Sequence, residues 1–84
     1  MQARTVSKTI KRRYGFDVKL VKAYNCWCFE GDVADKFKDK TVRVYRLNQL
    51  SLEQWLFMFE GKLRQNEIPY KEFGKRTWIN NPDN

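Results

Sequence analysis

Hydrophobic and polar positions follow two different periods along this chain. Between Leu50 and Asn66 the period is helical: at 100° per residue, Leu52, Trp55, Leu56, Phe59 and Leu63 fall on one stripe. Ser51 is placed to cap the first turn, Gln54 to reach back to the cap's own N–H, and Leu50 to staple onto Trp55. Glu53 suits the positive end of the helix, while Lys62, Arg64 and Asn66 followed by Pro69 supply the stop. This is the one stretch where start signal, period and stop signal agree, and its apolar stripe requires a sheet or a second helix to cover it.

Upstream the period is two. Phe16, Val18 and Leu20 alternate with Asp17, Lys19 and Val21, which predicts a strand from Phe16 and a turn or bulge at Tyr24-Asn25. Cys26-Trp27-Cys28-Phe29-Glu30 predicts a second strand up to Gly31, with the cysteines on one face and Trp27 and Phe29 on the other; alternation leaves open which face is covered. Residues 32–40 mix charge signs and fit a loop or a helix of one to two turns. Thr41 to Leu47 predicts a third strand, with Val42 and Val44 on one face and Arg43, Tyr45 and Leu47 on the other. Residues 1–14 place Val6 and Ile10 one helical turn apart among basic residues, which fits a short helix or a loose basic arm, ended by Gly15. Residues 68–80 fit a hairpin turning at Gly74 or a lone last strand, and the tail 81–84 is expected to be disordered. The expected fold is α+β: a single small domain over residues 1–84, with a three- or four-stranded antiparallel sheet covered on one face by the helix of about 51–66.

Thirteen aromatic side chains among 84 residues reconcile a mean hydropathy of -0.77 with a folded core, because each ring buries a large area. No apolar run has the length of a membrane span, and residues 1–14 lack the apolar core of a secretory signal, so an intracellular, cytoplasmic location is expected, with no membrane partner. Seventeen Lys and Arg against ten Asp and Glu give a net charge of +7, unevenly placed. Residues 1–24 carry seven basic side chains against Asp17 alone, whereas residues 25–61 carry five against six acids. Such clustering favours a polyanionic partner, nucleic acid before membrane.

Candidate chemistry narrows the picture further. The chain has no histidine, and no nucleophile elbow, phosphate-binding loop, zinc-protease motif or paired carboxylates, so a non-enzymatic protein is expected. Cys26 and Cys28 are too close for an unstrained disulfide and lack further ligands for a structural zinc, so free thiols, no metal and no cofactor are expected. Basic residues interleaved with aromatics are the stronger signal. Arg43 and Tyr45 of the third strand, with Arg46 beside them, Lys19 and Lys22 of the first and Trp27 of the second are expected to share one sheet face that meets phosphates with cations and bases or sugars with rings. Lys11, Arg12 and Arg13 extend that charge at the N-terminus; Lys75 and Arg76, beside Gly74, suggest a basic hairpin tip. Phe57 lies about 140° from Leu52, on the side expected to be polar, which marks it for a protein contact or a homodimer unless residues 1–14 or the C-terminal segment cover it.

Two resemblances follow from the order of elements over the first 66 residues. Three strands followed by a helix, with Val42-Arg43-Val44-Tyr45 leading to Ser51-Leu52-Glu53-Gln54-Trp55-Leu56, resembles the three-stranded DNA-binding domains at the N-termini of some phage integrases, in which the sheet enters the major groove. If residues 4–13 are helical, the α-β-β-β-α order is similar to a double-stranded-RNA-binding domain, with one departure: Glu53 opens the second helix where that family presents lysines to phosphate. The chain is assigned to neither family. The expectation is a small nucleic-acid-binding domain, DNA before RNA. Its rival is a small inhibitor or adaptor, of the kind carried by phages or mobile elements, that binds the acidic surface of a protein such as a nucleic-acid-processing enzyme.

Overall fold

In the computed structural model, which describes residues 1–71, the N-terminal segment is a helix, α1, over Ala3–Tyr14. Val6, Ile10 and Tyr14 recur every four residues and are all buried, so tertiary packing of that stripe, more than propensity, holds a segment otherwise rich in cations. Gly15 ends it in the left-handed region, φ 79 and ψ 6, and its N–H donates to the Lys11 carbonyl at 2.9 Å. The loose-arm alternative is thereby set aside for residues 3–14.

Strands β1 (Lys19–Ala23), β2 (Cys26–Glu30) and β3 (Thr41–Val42) form an antiparallel sheet in the order β1-β2-β3, and α2 (Leu52–Gln65) follows. The fold is α+β, as expected. The register pairs Leu20 with Phe29, Lys22 with Trp27, and Trp27 with Val42, so these five share one face. That face is the covered one: Leu20, Phe29 and Val42 are buried with Val6, Ile10 and Tyr14 of α1 and Trp55, Leu56, Phe59 and Leu63 of α2. The question left by the alternation in β2 is thus answered, with Cys26 and Cys28 half-buried on the opposite face. Phe59 sits at the centre, its ring 5.3 Å from Phe29, 5.5 Å from Tyr14 and 5.8 Å from Phe37 between centroids.

Local hydrogen bonds explain the boundaries. At α2 the Gln54 N–H donates to Ser51 Oγ at 3.1 Å and the Ser51 N–H to Gln54 Oε1 at 2.8 Å, the reciprocal cap expected. The first strand begins at Lys19 rather than Phe16, because the Asp17 N–H donates to Asp32 Oδ2 at 3.0 Å instead of to a ladder. The third strand stops at Val42 rather than Leu47: the Val44 N–H turns back to the Val42 carbonyl, and Gln49 Oε1 accepts from the N–H groups of both Tyr45 and Arg46. Residues Asp32–Lys36 and Leu47–Gln49 form short 3-10 turns. On the outer side of β1, the Leu20 N–H donates to Ser7 Oγ of α1 at 3.2 Å.

Lys62 stands in the last turn of α2, as the stop signal implies, but its side chain is buried. It is only 8% exposed, and its Nζ donates to the Asp39 carbonyl at 2.8 Å. Burial pushes its pKa below the ordinary value, partly opposed by the nearby Asp39 carboxylate. Residues 68–71 form no regular element, and the expected turn at Gly74 and the tail 81–84 lie outside the described residues. Among the described residues no helix is long and apolar enough to cross a membrane.

Candidate nucleic-acid interface

Once residues 3–14 are helical, four basic side chains fall into line. Arg4, Lys8, Lys11 and Arg12 are exposed and occupy an arc of roughly 100° opposite the buried stripe, over a length of roughly 12 Å. The helix contains no acidic residue, and among the described residues none of the four lies within ion-pair distance of a carboxylate. Lys11 and Arg12 also face the negative end of the helix dipole, which helps to hold that turn. Arg4 and Lys8 were not singled out from the sequence, although their spacing of four is legible there once the segment is taken as helical.

Arg13 is not part of this stripe. Its guanidinium engages Glu53 of α2, with Nη2 to Oε2 at 2.8 Å and Nη1 to Oε1 at 3.4 Å, and that hydrogen-bonded carboxylate raises its pKa above the ordinary value. It joins the two helices, with a side chain 23% exposed against 71% for Glu53.

The single basic-aromatic sheet face is replaced by two clusters about the β1–β2 turn. On the helix-covered side, Lys22 Nζ lies 4.6 Å from the Tyr45 ring centroid and 5.8 Å from that of Trp27. Trp27 is a half-buried core flank, not an open platform: its ring meets Trp55 edge-on at 6.4 Å, and its indole N–H is buried without a hydrogen-bond partner among the described residues. On the helix-free side, Arg43 lines a shallow hollow of about 240 Å³ with Tyr24, Asn25, Cys26 and Thr41. Lys19 is also on that side but at the far end of the strand, paired with Glu30 and beside Asp17, so carboxylates surround it. Lys75 and Arg76 lie outside the described residues.

The charges are therefore polarised along the sheet. From Val18 to Phe29 the only charged residues are Lys19 and Lys22, and from Lys40 to Leu52 they are Lys40, Arg43 and Arg46. The register brings Lys22 and Arg43 to the turn end, while Asp17, Glu30 and Asp32 gather at the other.

Phe57 is 66% exposed on the outer side of α2, next to Met58. Grooves of about 340 and 370 Å³ flank it, one lined by Arg13, Glu53 and Glu60, the other by Gly61 and Arg64. Among the described residues nothing covers this ring. The thiol of Cys28 is pushed up by burial and by its neighbour Cys26, which keeps it protonated near neutral pH and weakens it as a nucleophile. Among the described residues no group of three or more His, Cys, Asp or Glu side chains is placed to hold a metal ion.

The elements occur in the order α-β-β-β-α, with both helices on one face of a three-stranded sheet and the basic side chains at one end of the sheet and along α1. No protein-family model, curated protein or solved structure matches this chain at a significant level.

Proposed function

We propose that this chain is a small non-enzymatic domain that binds nucleic acid through the exposed stripe of α1 and the basic turn end of the sheet. The observation that carries this reading is the acid-free row of Arg4, Lys8, Lys11 and Arg12, left without carboxylate partners among the described residues. A row of unneutralised cations on a rigid helix raises the local potential and releases counterions when phosphates replace water against it. DNA is placed before RNA, and the salt dependence decides how many contacts form.

The test is fluorescence anisotropy of labelled duplex DNA, single-stranded DNA and duplex RNA across a salt series. A variant with Lys8, Lys11 and Arg12 changed to glutamine is expected to flatten the log–log salt slope by about three. Arg13→Gln is expected to leave the affinity within about twofold, since that charge is already spent on Glu53. An unchanged slope in the triple variant rejects α1 as the contact surface. A second reading, docking on another protein, is favoured by exposed Phe57 and Met58 on α2. Phe57→Ala leaves nucleic-acid affinity unchanged if α2 serves only that second role.

A further inference from the structure

The hollow of about 240 Å³ lies on the helix-free side of the β1–β2 turn. Tyr24 is 91% exposed at the tip, the largest exposure of any sizeable apolar or aromatic side chain among the described residues. It is carried by a two-residue turn in which Asn25 takes the left-handed φ of 56, so the ring projects from a fixed point at the end of a paired strand. The Asn25 carboxamide and the Arg43 guanidinium form no hydrogen bond or ion pair among the described residues, Arg43 feeling the Asp39 carboxylate only beyond ion-pair distance. The floor is made by Cys26 and Thr41, small side chains that let a flat ligand approach the strands. At about 240 Å³ the hollow lies below the range of about 300–1,000 Å³ typical of sites for larger organic ligands, which suits a single ring system.

We propose that this hollow takes one unpaired nucleobase of a single strand, with the base stacked on Tyr24, its adjoining phosphate against Arg43 and its polar edge facing the Asn25 carboxamide. The inference rests on the nucleic-acid reading and deepens it. Each group has one task. A phenol ring presents a π face to any base, a guanidinium meets phosphate through paired donors, and a carboxamide offers both a donor and an acceptor to the base edge. No acidic residue occurs from Val18 to Phe29 or from Lys40 to Leu52; the carboxylate bearing on the hollow is that of Asp39, held by the Thr41 N–H and hydroxyl, so Arg43 supplies the positive charge there against one neighbouring acid. A duplex, whose bases are stacked inside, offers this hollow nothing but its backbone.

The experiment compares a labelled single-stranded DNA oligonucleotide, an RNA strand of the same sequence, the DNA duplex, and a deoxyribose-phosphate strand of the same length with abasic sites throughout. The protein is expected to prefer the base-bearing DNA strand over the abasic one by about fivefold or more, and Tyr24→Ala is expected to abolish that preference while Tyr24→Phe retains it. The salt slope should not move in Tyr24→Ala, because no charge is lost, and should fall by about one in Arg43→Ala. The RNA arm tells whether the sugar's 2′-hydroxyl contributes. Equal binding of base-bearing and abasic strands, with a steep salt slope that the α1 triple variant reduces, overturns the base site and leaves the phosphate-binding reading intact. A protein that binds none of the four strands overturns both. Thermal melts of the Tyr24 variants should match the parent, since that ring is solvent-exposed.

Discussion

Phe59→Ala tests the central packing of the domain. The ring is fully buried and meets Tyr14, Phe16, Phe29 and Phe37 at centroid distances of 5.3 to 6.3 Å. Returning a phenyl side chain to water costs about 1.5–3 kcal/mol, and the cavity left among rings anchored on four different segments adds to it, for a total of about 3–5 kcal/mol. A chain of this length has a total stability of about 4–13 kcal/mol, so the single change removes a large share of it. Urea unfolding followed by tryptophan fluorescence, with Trp55 buried beside the altered site, is expected to show a midpoint lowered by about 2–5 M for a slope of about 1–1.5 kcal/mol per M. If the alanine variant is unfolded without urea, Phe59→Leu supplies a smaller step on the same curve, about 1–2 kcal/mol. Phe57→Ala, two residues away and 66% exposed, is the internal control, with a change within about 0.5 kcal/mol. A loss below about 1 kcal/mol for Phe59→Ala at unchanged slope, or equal losses at the two positions, refutes the assigned phase of α2.

Three further outcomes follow from local geometry. Ser51→Ala removes the acceptor for the Gln54 N–H and is expected to cost about 1 kcal/mol in chemical denaturation, whereas a neutral result shows the cap to be dispensable. Gly61→Ala places a methyl group where nothing among the described residues lies within 4 Å, so it should raise stability by up to about 1 kcal/mol; a lower melting temperature contradicts the open surface. Burial lowers the pKa of Lys62 below its ordinary 10.5, so in that interval the unfolded chain holds the proton that the folded chain releases, and stability rises with pH there. The rise should be missing from Lys62→Met, and superimposable pH profiles for the two proteins contradict the assignment.

Much of the fold was legible wherever one local signal had a single physical solution. The reciprocal Ser51–Gln54 cap, the strand, though not its covered face, at Cys26–Glu30 and the break at Gly15 each had one. The errors arose where a distant partner settled the matter. Thr41 to Leu47 alternates like a strand, yet the side chain of Gln49 takes two of its N–H groups and bends it away after Val42. Lys62 stands in the last turn as its helix-end signal implies, but its burial was not legible there, because the Asp39 carbonyl draws the amine inward from a loop 23 residues away. The expected basic-aromatic face failed for a geometrical reason: register puts Lys22 opposite Trp27 and Lys19 opposite Glu30, so the two lysines point to opposite sides of the sheet. Tyr24 escaped notice because a turn residue carries no periodicity, and only its exposure beside Arg43 distinguishes it.

The contact between Ser7 and Leu20 bears on how the protein behaves when concentrated. A three-stranded sheet has two free edges, and each is an invitation to add a strand from another molecule. The edge at β3 is only two residues long. At β1 the hydroxyl of Ser7 accepts the Leu20 N–H that an incoming strand would seek, so a helix side chain occupies one rung of an edge that no strand among the described residues pairs. Changing Ser7 to alanine frees that rung while removing few other contacts, and the consequence should surface as faster fibre formation or strand exchange in crowded solution rather than as a lower melting temperature.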